Sequence, residues 1–458
     1  MKSLYQAAAF YLFFSGLCFC GTANVRAQSI ARTTLFKKQS LNELRNQDPG
    51  PGENSFQTIT LTPVYHNPLI PDNSIEQQNR SILAKQGMLP GQSRNEEPSN
   101  ELGREIKQDA LKQKKTRLLA AQKSFQDSFQ GFLTLDPDNF SITKAIYLCE
   151  SAWYDQPPSF DEFEKAIRSR ADLAKLILKK EGLNARDNIA LNYAIQKLYT
   201  TDNRFIDQRT KRMVTIPKLG YDFEDFMGEK NWSNMFVTKL LFFGKGQCHS
   251  LPLLYLAMAE HLGAKAYLSL SPEHSFIQFF DKNGYRYNFE TTNGNLVTHT
   301  WLMQSTFINA TALKNRTYLD TLSPKQLYAQ LLSDLLQNYT NKLGHDETTM
   351  QITERILAID PDNVAARMTQ ANYNTFVVRE QLKKAGYPSM DQIANYPEVN
   401  RAYQNMLKSY ELIEQTGFQE MPKEDYQRWL KTVEQEKEKQ KNLEIQQQLK
   451  KKIEKVRK

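Results

Sequence analysis

The sequence predicts an α+β fold: a helical subdomain packed on a small antiparallel sheet, followed by an α-helical C-terminal module. Three observations predict it. Apolar residues recur at helical spacing through much of 140–240. Between residues 266 and 290 the pattern changes to short strand-like runs around a turn signal, Asp281-Lys282-Asn283-Gly284. From about Pro324 to residue 415 helical periodicity returns.

The elements follow in chain order. Lys2, the apolar run Ala7 to Cys20 and the small residues of Val25-Arg26-Ala27 read as a secretory signal peptide over 1–27. This implies an exported protein, periplasmic or extracellular, and no later run is long enough to span a membrane. Leu17 and Phe19, just before Cys18 and Cys20, are too large for a lipidation box. Residues 28–100 are rich in Asn, Gln, Pro and Ser and read as a disordered arm. A helical lead-in over 101–135 carries Leu111, Leu118, Leu119, Phe125 and Phe129 near helical spacing. The central domain is assigned to 136–320, a tetratricopeptide-like helical module to 321–415, and a charged helical tail to 416–458.

Within the central domain, helices are expected over Thr143–Trp153, Phe160–Lys180 and Asn188–Tyr199. A further helix from about His249 to Leu262 is stopped by Gly263, a residue suited to the left-handed cap. Strands follow at Ala266–Leu270, Ser275–Phe280 and Tyr285–Glu290. One string recurs: Leu133-Thr134-Leu135-Asp136-Pro137-Asp138-Asn139 and Leu357-Ala358-Ile359-Asp360-Pro361-Asp362-Asn363. Pro disfavours helix in the residue before it, and Asp or Asn caps the next turn, so each copy reads as a joint between helices.

The formal net charge of the 458-residue chain is +8, and loss of Lys2 and Arg26 with the leader lowers it to +6. The excess lies in Lys450-Lys451-Lys452 and Lys455 to Lys458. No aromatic residue is interleaved with that charge, so it reads as a solvated helix end and no nucleic-acid partner is expected. Histidines at ligand spacing are lacking, and no metal or other cofactor is expected.

The chemistry gathers around Gly244-Lys245-Gly246-Gln247-Cys248-His249-Ser250. Glycines permit tight geometry ahead of a helix. Pro252 has no N–H to give the carbonyl of Cys248, which places Cys248 at the helix edge. A sulfur there faces the positive end of the helix dipole, which favours thiolate, and the same N–H groups suit an oxyanion. A cysteine nucleophile needs a base and an orienting partner. His274 begins one strand and Glu290 ends the next. They share a face only if the hairpin loop between their strands has an odd number of residues. Asn288 has the same parity as Glu290 and is the fallback orienter. Gln247 is a candidate oxyanion donor, and Trp232, sixteen residues before Cys248, a candidate wall of the site. The alternatives for Cys248 are inert burial or a disulfide with Cys149, the only other cysteine after the leader.

These residues resemble a known family. Gly246 to Leu256, continuing into Ala259-Glu260-His261-Leu262-Gly263, is similar to the SirB1-type bacterial branch of the transglutaminase-like superfamily. His274 matches the superfamily histidine. Asn288-Phe289-Glu290-Thr291-Thr292-Asn293-Gly294 resembles the strand that ends in the superfamily aspartate, with Glu290 in the aspartate position. The resemblance covers residues 140–300 and implies a papain-like core with a Cys248–His274–Glu290 triad. It implies acyl transfer or amide hydrolysis on a peptide or protein substrate. The competing expectation is a non-catalytic scaffold that binds an envelope protein through its C-terminal helices.

Overall fold

The computed structural model describes residues 101–418, apart from 207–210, 226–227, 273, 306–307 and 389. The segments expected to be a signal peptide and a disordered arm, and the expected charged tail beyond residue 418, lie outside the described residues. Among those residues, no helix is long and apolar enough to cross a membrane.

The chain opens with a long helix, α1 (Glu101–Leu133). Only its last turns join the core, through Phe125, Phe129 and Phe132, while Leu111, Leu118 and Leu119 are exposed. Three helices follow: α2 (Ile142–Ser151), α3 (Phe160–Glu181) and α4 (Asn188–Thr200). Their starts are chemically marked, for Ser141, Ser159 and Asp187 each accept a backbone N–H of the first turn. Residues 200–221, expected to be helical, instead contain an antiparallel ribbon of β1 (Asn203–Ile206) and β2 (Met213–Ile216), then β3 (Gly220–Tyr221). The β-branched and aromatic residues in that stretch favour extended structure over helix.

After a single 3₁₀ turn at Trp232–Met235 come α5 (Val237–Phe243), β4 (Lys245–Gly246) and α6 (Ser250–Leu262). β4 runs parallel to β3. Gly263 closes α6 with φ 73°, the left-handed cap its position called for. The main sheet is antiparallel in the order β5 (Tyr267–Ser271), β6 (His274–Phe280), β7 (Arg286–Glu290) and β8 (Asn295–Val297). Its two faces bury different sets. Ile277, Phe279 and Phe289 join the main core with α6, whereas Phe276 packs with Leu302, Ala312 and Leu319.

Two short helices, α7 (His299–Ser305) and α8 (Ala310–Lys314), lead to α9 (Pro324–Leu343), α10 (Glu347–Ile359), α11 (Val364–Lys384) and α12 (Pro397–Thr416). Each of α9 to α11 packs on the next. The main core is continuous from α1 through α9 to the start of α11, and a second core around Val378, Met406 and Ile413 joins α11 to α12. The repeated string builds the same turn twice, Asn139 N–H donating to Asp136 O at 3.0 Å and Asn363 N–H to Asp360 O at 3.1 Å. The molecule is therefore α+β, mostly helical, with one small antiparallel sheet at its centre.

Candidate functional site

Cys248 lies two residues before the first residue of α6 and is fully buried. Pro252 occupies the position whose N–H would have bonded the Cys248 carbonyl in a helix. The hydroxyl of Ser275 supplies the missing donor, reaching that carbonyl at 2.8 Å. One hydrogen bond thus ties the Cys248 backbone to the strand residue that follows His274. Gly246 is required by the same packing: a Cβ there would lie 2.6 Å from Ser250 Oγ, the atom that accepts the Gln247 N–H at 2.9 Å.

His274 and Glu290 are buried and joined, Nε2 to Oε2, at 2.6 Å. The hairpin makes this possible. Its loop, Asp281 to Tyr285, has an odd number of residues, and Gly284 turns it with φ 80°. The Asp281 carboxylate accepts the N–H groups of Asn283 and Tyr285, which fixes the loop length. The register pairs Ile277 with Phe289. Extending it sets Glu290 across from Phe276, diagonal to His274 on one face. The second carboxylate oxygen, Oε1, accepts the N–H and hydroxyl of Thr292 at 3.1 and 2.7 Å. The imidazole stacks beside Phe276. Its other nitrogen, Nδ1, is buried without a hydrogen-bond partner.

The remaining sequence candidates have other occupations. Asn288 accepts from Gln278 at 2.9 Å and donates to Val297 O at 3.1 Å, so it makes no bond to the imidazole. The Gln247 amide donates to the carbonyls of Asp222 and Asp225, both at 3.1 Å, which anchors that loop and uses both donors an oxyanion would need. Trp232 lines the cavity in front of His274 and donates from Nε1 to Asn338 at 2.7 Å.

The cysteines depart from expectation. Cys149 is a buried free thiol whose Sγ lies 3.0 Å from Leu331 O, so the Cys149–Cys248 bridge does not form. Cys248 is nonetheless disulfide-bonded, and not to Cys149.

Two carboxylates beside the site, Glu150 and Asp334, were not singled out by sequence, and His249 was read as a helix residue without a chemical role. Glu150, from α2, accepts the N–H groups of Val237 and Thr238 at 2.6 and 2.8 Å, capping α5. Burial raises its carboxyl to about 7, against the lowering effect of those hydrogen bonds. His249 Nε2 lies 3.2 Å from Asp334 Oδ2, a carboxylate from α9. Burial opposes the charged imidazole, but Asp334 and then Glu150 outweigh it, and the net shift is upward. Only a distant acid in a helix signals either carboxylate, and sequence alone does not show which way it faces.

His249, His274, Ser275 and Asp334 line one cavity of about 370 Å³ between the sheet and α9. That volume lies in the range of small-ligand sites. Among the described residues no cluster suited to a metal ion occurs. No protein-family model, curated protein or solved structure matches the chain.

Proposed function

We propose that the protein is a cysteine-dependent acyl-transfer enzyme or amide hydrolase with a papain-like, transglutaminase-like core. Cys248, His274 and Glu290 are its nucleophile, base and orienting acid. The observation that carries this reading is the buried His274–Glu290 pair with Nδ1 left without a partner, on a strand pinned to the Cys248 carbonyl. A glutamate that accepts from Nε2–H leaves Nδ1 with the lone pair a base needs.

The activity belongs to the reduced thiol of Cys248. Nδ1 takes the thiol proton, the sulfur adds to a peptide or side-chain amide carbonyl, and the C–N bond breaks as Nδ1 returns the proton to the leaving amine. Water or a second amine then attacks the thioester and releases the sulfur. The N–H groups at the start of α6 are the candidate oxyanion donors. The leader motif further implies export to the periplasm or beyond.

The complete burial of Cys248 favours a second reading, a non-catalytic scaffold that binds a partner protein through α9 to α12. One experiment separates the two. After reduction, iodoacetamide labelling of Cys248 near neutral pH is measured beside His274→Ala and Glu290→Gln. The enzyme reading expects labelling faster than free cysteine, slowed about tenfold or more by either substitution. Equal, sluggish labelling in all three proteins leaves the scaffold.

A further inference from the structure

The wall of the cavity opposite His274 is built by α9, and its composition is unusual for a buried helix face. Gln326, Gln330, Asp334, Gln337 and Asn341 all line the cavity and follow one another at spacings of four, four, three and four residues. That is one stripe of a helix. The residues beside it, Leu327, Leu331 and Leu335, are buried in the main core. The stripe is therefore the face of α9 that the core does not use. Gln330, Gln337 and Asn341 are half-buried, and Asp334 is buried with 9% of its side chain exposed.

A carboxamide carries one donor and one acceptor, as a peptide unit does. Gln330 and Gln337 are two helical turns apart, about 10.5 Å, which matches about three residues of extended chain. Across the cavity, Thr369 and Asn372 of α11 add further polar groups. The charge is one-sided. Asp334, Asp360 and Asp362 line the cavity, and the only Lys or Arg among the described lining residues is Arg316, whose side chain is largely exposed. Asp334 Oδ2 is buried and makes no hydrogen bond, although His249 lies within ion-pair distance. Oδ1 accepts from Gln330 Nε2 at a long 3.5 Å, so the carboxylate has acceptor capacity left for a further donor beside His249.

We propose that this cleft binds an extended peptide, with Gln330 and Gln337 pairing with its main chain and Asp334 receiving a lysine or arginine side chain. His274 and His249 line the same cavity, so the bound segment lies against the His274 end of the site; Cys248, fully buried, does not line it. This names the substrate class for the function proposed above and rests on that reading for its catalytic sense, but not for binding.

The test uses the full chain carrying Cys248→Ala, so that binding is read without turnover. The probes are three fluorescein-labelled, end-capped alanine heptapeptides: one with a central lysine, one with a central glutamate, and the lysine peptide with N-methylated backbone amides. Fluorescence anisotropy should show the lysine peptide binding about tenfold or more tighter than the glutamate peptide, and the N-methylated peptide binding weakly. The double substitution Gln330→Ala and Gln337→Ala should weaken both unmethylated peptides about tenfold, as loss of two neutral hydrogen bonds implies. Asp334→Asn should weaken the lysine peptide alone and remove the preference. Circular dichroism confirms that each variant is folded. Equal affinity for lysine and glutamate peptides, indifference to N-methylation, or no binding by folded protein overturns the proposal. His274-dependent labelling of Cys248 would survive that failure. Conversely, selective binding with His274-independent labelling keeps the peptide cleft and removes the enzyme.

Discussion

Ser275→Ala removes the hydroxyl that holds the Cys248 carbonyl at 2.8 Å. Pro252 cannot replace it, because the position that would donate within the helix has no N–H. The substitution therefore removes a hydrogen bond from a buried acceptor, which costs about 1–3 kcal/mol. For a body of this size that is a fall in Tm of roughly 1.5–5 °C. Ser271→Ala is the matched control. Ser271 is equally buried and pairs with His274 across β5 and β6, but its hydroxyl has no hydrogen-bond partner. Losing it should be neutral or slightly stabilising. Thermal unfolding followed by circular dichroism compares the two, with and without reductant. Iodoacetamide labelling of the reduced proteins then shows whether the reactivity of Cys248 depends on that bridge. If both serine variants melt alike and label alike, the hydroxyl bridge does not organise the site and this reasoning is wrong.

Gly246→Ala should cost about 1–3 kcal/mol in urea unfolding, because its Cβ would meet Ser250 Oγ at 2.6 Å and Leu240 at 3.1 Å. Glu290→Asp shortens the acid by one carbon–carbon bond, ~1.5 Å; labelling of Cys248 should slow toward the Glu290→Gln rate, and an unchanged rate would show that the diagonal reach is immaterial. The folded protein holds the Glu150 proton up to about pH 7, from an ordinary value of 4.5, so stability should fall by about 3 kcal/mol as pH rises through that window. His249, raised as well, acts in the same direction, its contribution fading as pH rises past 6.5. Urea unfolding between pH 4.5 and 8 should show this decline, and Glu150→Gln should flatten it. Stability that rises over that range in the unsubstituted protein would contradict the placement of both groups.

Local signals made much of the central region legible. Gly263 fixed one end of α6, Asp281 to Gly284 marked the hairpin, and Pro252 placed Cys248 at the helix edge; all act within a few residues. The parity of His274 and Glu290 was legible too, because strand alternation converts sequence spacing into a shared face. The β1–β2 ribbon was not, since its short runs sit within a helical context. Neither was the pairing of Asp334 with His249 or the capping of α5 by Glu150, for each depends on how α2, α9 and α6 pack. The amides of Asn288 and Gln247 show the same limit from the other side. Their spacing allowed a role at the site, but backbone carbonyls and Gln278 took their hydrogen bonds.

The polar stripe of α9 was open to sequence, yet periodicity alone assigns it to solvent. A helix with Leu327, Leu331 and Leu335 on one side ordinarily turns its polar side outward. Here α11 and the sheet stand over that side, so the carboxamides line a cavity. This placement also explains why α9, α10 and the start of α11 share the main core, while the rest of α11 and α12 form a second one. α9 packs on α1 and α2 with its leucines and faces the His274 cavity with its amides, so the same helix that completes the core completes the site. A truncation before α9 would expose Phe132 and Cys149 and remove one wall of the cleft together. His274 and α9 for that reason share one cavity.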